Sequence, residues 1–202
     1  LELMRRINRT ERPGWRAEIQ ALGVDLAASP QSPYWREDAA YELTGEEVDE
    51  LHGAAVELER LVREAVDHVV KRDGVEGLGI PSRLAELAAA SWRNREPSLY
   101  GRYDLRYDGT SPPKLLEYNA DTPTALFEAS VVQWHWLEAS YPGHDQFNSI
   151  HEALIETWVD WRRSGRLARV HFACFPEDDD DLLTTAYLMD TAVQAGLDVV
   201  ML

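Results

Sequence analysis

Two alternating runs separated by a cluster of turn formers constrain this chain more than any other feature. In Tyr100–Tyr107, Arg102, Asp104 and Arg106 fall on one side and Tyr103, Leu105 and Tyr107 on the other, because strand side chains repeat every two residues. Lys114–Asn119 alternates likewise, with Leu115, Glu117 and Asn119 on one face and Leu116 and Tyr118 on the other. The connection Asp108-Gly109-Thr110-Ser111-Pro112-Pro113 is dense in turn-forming residues. The pattern predicts a β-hairpin. Closed symmetrically about that loop, it sets Asp104 opposite Glu117 and Arg102 opposite Asn119. Two facing carboxylates repel and weaken a sheet. A cation between them reverses that sign.

Aspartate, glutamate and asparagine offer hard oxygen ligands, which suit Mg²⁺ better than zinc or copper. Mg²⁺ takes a few protein oxygens and completes its octahedron with water and phosphate, and Arg102 and Arg106 suit phosphate oxygens. The pattern is also that of an ordinary half-exposed hairpin whose Arg and Asp residues form weak surface pairs. Alternation alone does not choose between the two.

YGRYDLRYDG followed by KLLEYNADTPTALFEA resembles the synthetase domain of the glutathionylspermidine synthase family, a branch of the ATP-grasp ligases. The stretches ERPGW, SPYWREDAAYELT, SWRNREPSLYGR, DQFNSIHE and TAYLMDTAVQAGLD extend the resemblance over almost the whole chain in the family's order. It implies that Asp104, Glu117 and Asn119 are Mg²⁺ ligands and that Arg102 contacts the transferring phosphoryl group, the four together forming part of an ATP site. It further implies that Thr122 and Thr124 contact a peptide-like acid substrate. One residue departs: Ala125 stands where the family pattern N-A-D-S-x-S-C has a cysteine lying against the glutathione thiol. Glutathione and a polyamine are the family's default substrates, and Ala125 takes the thiol contact out of that default.

The chain has 202 residues and 45% hydrophobic content, enough for one or two units with a real core. It contains no run of about 18 apolar residues and no signal-peptide pattern, so a soluble, cytoplasmic protein is expected. The formal charge of −16 argues against nucleic-acid or anionic-membrane partners, which need a basic surface. An ATP site here is then a local basic pocket in an acidic protein. The single cysteine, Cys174, excludes an internal disulfide framework and reads as a buried, inert thiol.

Thr44-Gly45-Glu46-Glu47 is a capping box. Val48, Leu51, Ala55, Leu58, Val62, Ala65 and Val69 follow at helical spacing, with Gly74 as a terminator. Pro81-Ser82 opens a shorter helix through Ala90. Thr122-Pro123 reads as a further start, threonine as N-cap and proline at the first helical position. The spacing predicts that helix to about Glu138, with free amides near Thr124 adjoining Glu117 and Asn119 as an anion site. Another helix is expected over Asp145–Arg163. The pairs Trp134/Trp136 and Trp158/Trp161 read as packing. Leu167–Phe175, Asp181–Ala195, Gly196 and Leu197–Leu202 then form strand, helix, cap and strand, a βαβ unit with parallel strands. The run Glu177–Asp181 reads as a solvated loop feeding acids into a helix start. No H-E-x-x-H, P-loop, dinucleotide fingerprint or G-x-S-x-G elbow occurs.

The expected fold class is α/β (α+β): the N-terminal part of a permuted ATP-grasp-like synthetase with helices, a metal-binding β-hairpin and a βαβ unit. Residues 1–97 form a helical N-terminal region, 98–165 the hairpin and following helices, and 166–202 the start of an α/β subdomain that the chain does not complete. The leading functional expectation is an ATP- and Mg²⁺-dependent carboxylate–amine ligase, its remaining ATP-binding residues lying beyond residue 202. Alternatives are a metal-dependent ATP phosphohydrolase using the same carboxylates and a non-catalytic module holding a partner protein.

Overall fold

The computed structural model describes residues 4–24, 34–175 and 179–202. Ser32 and Pro33 of SPYWREDAAYELT, and Glu177 and Asp178 of the acidic run, lie outside them. In chain order the elements are β1 (Arg5–Asn8), α1 (Trp15–Ala21), β2 (Ala39–Glu42), α2 (Gly45–His68), α3 (Ser82–Asn94), β3 (Arg102–Arg106), β4 (Lys114–Asn119), α4 (Gln133–Ser140), α5 (Ile150–Arg163), β5 (Arg169–Phe172), α6 (Asp179–Gln194) and β6 (Asp198–Met201). Helices joined by small two-stranded sheets make this a mixed α/β chain. Among the described residues no helix is long and apolar enough to cross a membrane. The chain divides into two compact units, Leu43–Tyr118 (with Met4) and Arg5–Glu42 with Asn119–Leu202.

In the first unit, α2 starts where the capping box predicts. The Thr44 hydroxyl accepts from the Glu47 amide at 3.2 Å, and the Glu47 carboxylate accepts from the Thr44 amide at 2.8 Å. The helix continues into a π-helical turn, Val69–Asp73, and stops at Gly74 with φ 71°. The next helix, α3, runs past the expected Ala90 to Asn94 and closes on Arg95 in the left-handed region. Its Trp92 donates to Asp67 of α2 at 3.2 Å.

The hairpin forms as the alternation predicts, β3 pairing with β4. A connection this short cannot carry a parallel crossover, so the strands are antiparallel. Its turn is organised by Asp108, whose Oδ1 accepts from the amides of Thr110 and Ser111 and from the Thr110 hydroxyl at 2.8–3.0 Å. The tyrosine face packs on α2. Tyr103 donates to Glu59 at 2.8 Å and Tyr107 to Glu50 at 2.9 Å. Nine helical residues and four strand residues both span about 13 Å, so strand and helix run side by side with matched spacing. Tyr103 also stacks on Tyr118, ring centroids 4.2 Å apart and planes 11° apart. Gly101 makes room for this, since a Cβ there would lie 2.7 Å from the Tyr118 ring.

In the second unit, β1 and β2 pair antiparallel, Arg5 opposite Glu42 and Asn8 opposite Ala39. Four-residue strands are too short for alternation to reveal. A core of Trp15, Ile19, Val24 and Val132 is surrounded by Leu22, Trp35, Phe127 and Leu183. Farther on, β5 and β6 pair in parallel, Arg169 opposite Asp198 and Phe172 opposite Met201. With α6 between them they form the expected βαβ unit, and Gly196 follows the helix at φ 77°. Trp158 is buried as expected, donating to Thr191 at 3.1 Å and meeting Trp161 and Phe172 edge-on. Trp134 is 40% exposed, so it does not share that packing role.

Three expectations are corrected. The helix predicted from Thr122-Pro123 is helical only from residue 126. Ala125, at φ 62°, interrupts the backbone immediately before it, and right-handed helix cannot pass through that region. Its first bond runs from the Ala129 amide to the Ala125 carbonyl at 3.1 Å. The anion site expected at the Thr124 amide therefore does not form the start of this helix. The helix predicted from Asp145 begins at Ile150, because Asn148 is engaged otherwise. Its side chain accepts from the Ile150 amide at 3.1 Å and donates to the carbonyls of Ala129 and Ser130 at 3.1 and 3.2 Å. Those carbonyls lie in a second π-helical turn, Glu128–Val132, which leads into α4. Cys174 lies beyond β5 and is half-buried, not fully buried.

Candidate active site

Alternation along β3 puts Arg102 and Asp104 on the face opposite the tyrosines that pack on α2. The Arg102 Nε donates to Asp104 Oδ1 at 2.8 Å, and Nη2 approaches Oδ2 at 3.4 Å. The two side chains are 39% and 38% exposed. Hydrogen bonding to Asp104 raises the Arg102 pKa against the opposing effect of desolvation, and the charges of Asp104 and Glu117 add to the rise. Arg102 is thus held charged between two carboxylates, one bonded to it directly and the other, exposed Glu117, acting through its field. Arg106 turns outward to Asp108 at 3.4 Å and takes no part in this arrangement.

Asn119 closes β4 and opens the second unit's share of the chain. Its amide Nδ2 is buried with no hydrogen-bond partner. A buried amide without a partner costs free energy comparable to a lost hydrogen bond. After it, Thr122 is exposed, Pro123 buried and Thr124 half-buried. Among the described residues no group of three or more His, Cys, Asp and Glu converges on a metal-binding point. The hairpin set instead comprises two carboxylates and an amide. The Asp104 and Glu117 carboxylates and the Asn119 amide oxygen are hard donors of the kind Mg²⁺ takes, and it needs few protein ligands. The unpartnered Asn119 Nδ2 is an N–H donor and adds nothing to a cation site.

Sequence reasoning missed two acidic residues. Glu37 is 1% exposed. It accepts from Arg12 Nε at 2.5 Å and from Trp35 Nε1 at 3.0 Å, while Arg12 also reaches Glu18 at 2.9 Å. Trp15 of ERPGW donates to Glu11 of the same stretch at 2.9 Å. Two sequence stretches that carry the resemblance, ERPGW and the WRED of SPYWREDAAYELT, therefore meet in the fold. Glu128 is the other missed residue. It is 8% exposed and accepts from the Tyr34 hydroxyl.

The sequence profile of the glutathionylspermidine synthase preATP-grasp domain matches residues 6–202. The chain belongs to that family. A Haemophilus influenzae relative whose name, acid–amine ligase, is provisional shares 36% identity over 93% of this chain and 49% of its own length. The Escherichia coli bifunctional glutathionylspermidine synthetase/amidase is 31% identical over 90% of this chain and 28% of its own. Trypanothione synthetase of Crithidia fasciculata is 29% identical over 59% of this chain and 18% of its own. The chain spans about half the length of the first of these relatives and less of the others.

Proposed function

We propose that the full-length protein is an ATP- and Mg²⁺-dependent carboxylate–amine ligase, and that this chain is the N-terminal part of a permuted ATP-grasp-like synthetase. The observation that carries the reading is the solvent-open face of the hairpin, where Arg102 and Asp104 pair beside Glu117 in a chain of this family. The relatives' names point to the same bond type, amide formation between an acid and an amine.

Asp104, Glu117 and Asn119 are the residues that would hold Mg²⁺, and with Arg102 they are this chain's share of the ATP site. When bound, the metal neutralises charge on phosphate oxygens. Arg102 supplies a guanidinium for the transferring phosphoryl group, and its half-exposed pair with Asp104 opens at little cost to free both side chains for that role. Thr122 and Thr124 would hold the acid through their hydroxyls. ATP phosphorylates its carboxylate, and the amine displaces phosphate from the acylphosphate. Ala125 offers no group to a substrate thiol, so the acid need not be glutathione.

Mass spectrometry of the products formed by the full-length protein from ATP and a metabolite extract tests this reading. The expected product carries the summed mass of an acid and an amine less one water, with ADP and phosphate released. ATP breakdown without an amine acceptor favours the phosphohydrolase. Failure to bind Mg²⁺–ATP favours the partner-binding module.

A further inference from the structure

Three uncommon features fall within eight residues of the second unit. Ala125 holds φ 62° without being glycine, a strained conformation that concentrates at functional sites. A π-helical turn follows at Glu128–Val132, and such turns recur where a helix is shaped around a ligand. The first residue of that turn, Glu128, is a buried carboxylate with one oxygen lacking any partner. Its Oε1 accepts from the Tyr34 hydroxyl, while Oε2 is fully covered and unbonded. Buried carboxylates are rare unless paired. Among the described residues no arginine or lysine lies within ion-pair distance of this one. The nearby charge is of the same sign, since Asp180 acts on Tyr34 together with Glu128. Tyr34 is 41% exposed, so the pair lies close to the surface.

From this we infer that Glu128 receives the protonated amino group of a ligand at Oε2, the ligand displacing the side chains that cover that oxygen in this structure, with Tyr34 fixing the other carboxylate oxygen. An ammonium brings both things the site lacks, a positive charge and several N–H donors. The inference rests on the ligase reading for the ligand's identity, because either substrate of such an enzyme can carry the group. It is the reacting amine or the free α-amino group of the peptide-like acid. The strained Ala125 and the π-helical turn set Glu128 a few residues after Thr122 and Thr124, at the start of the helix that follows them. Glu128 is here a binding residue and takes no part in phosphoryl transfer.

The test is calorimetric titration of the full-length protein without ATP, using 1,4-diaminobutane in one arm and a free-amino dipeptide in the other. Each probe is run beside its N-acetylated counterpart, fully acetylated in the case of the diamine. At least one probe is expected to bind, acetylation to abolish that binding, and Glu128→Gln to weaken it by about tenfold or more. Glu128→Asp keeps the charge but withdraws it by one methylene, and it covers the case in which the amide variant does not fold. It should weaken binding by about threefold or more. The proposal is overturned if neither probe binds the wild type, if the acetylated probe binds equally, or if a folded Glu128 variant binds as the wild type does. Because ATP is absent, a protein that ligates nothing but shows Glu128-dependent binding would sink the ligase reading and spare this one. Ligation unaffected by Glu128→Gln, with unchanged amine affinity, would do the reverse.

Discussion

Among the arginine–carboxylate pairs of the described residues, two that share their chemistry differ sharply in their surroundings. Arg12 and Glu37 join residues 25 apart in sequence, and their side chains are 13% and 0% exposed. Arg102 and Asp104 lie two apart on one strand and are 39% and 38% exposed. Burial makes the first pair expensive to break from the Arg12 side, because Glu37 left without its arginine is an uncompensated buried charge, whereas Arg12 keeps Glu18 as a second partner. Water keeps the second pair cheap to rearrange, its net contribution being about 0–1 kcal/mol. A pair that costs little to open can exchange its partner for a metal or a phosphate. The buried pair holds the fold, and the open pair is available for chemistry.

The largest effect should follow from breaking the buried pair. Arg12→Met, which leaves the Glu37 carboxylate buried without its ion-pair partner, is expected to destabilise the protein by about 3–5 kcal/mol, read from a urea or thermal melt. A loss no larger than that of Asp104→Asn would erase the contrast between the pairs. A smaller effect is expected in the first unit from Thr44→Ala, which removes half of the capping box at α2. Its cost should be about 1 kcal/mol, seen as a shift in denaturant midpoint at constant slope.

The smallest effect concerns the hairpin's own turn. Bonds from the Ser111 and Thr110 amides, then from the Thr110 hydroxyl, hold the Asp108 carboxyl at about 2, below its ordinary 3.8. A depressed carboxyl pKa contributes stability that is present above the ordinary value and lost as pH falls through the folded one. The turn should therefore hold at pH 5 and above and loosen between about pH 4 and pH 2. Proton-detected titration of Asp108 beside the Thr110 and Ser111 amides checks this. A midpoint near 3.8 would mean that the turn bonds are not formed in solution.

Features that depend on near neighbours in sequence were legible in it. The capping box, the helical spacing of Val48 to Val69, the hairpin alternation and the strand–helix–strand order from Leu167 all reappear in the structure. Features set by distant residues were not. Nothing in WRED marks Glu37 as buried, because its burial depends on Arg12 and Trp35 closing over it. Thr122-Pro123 carries a sound local start signal, yet the backbone turns left-handed at Ala125 and delays the helix. Asn148 looks helical by position, but its side chain is drawn to carbonyls of a π-helical turn 18 and 19 residues away. Of the candidate site, the shared face of Arg102 and Asp104 followed from strand periodicity. Their direct bond and the orphaned amide of Asn119 did not.

The central claim is that the open hairpin face carries the chemistry, and acid- and amine-dependent ATP turnover by the full-length protein tests it most directly. Asp104→Asn and Glu117→Gln are assayed beside the wild type, each with its thermal melt. The account expects turnover to fall by about a hundredfold or more while Tm stays nearly unchanged. Glu117→Gln relieves repulsion between like charges, and Asp104→Asn gives up only a half-exposed pair with Arg102 worth about 0–1 kcal/mol. Near-normal turnover from either variant, with the fold intact, would contradict it.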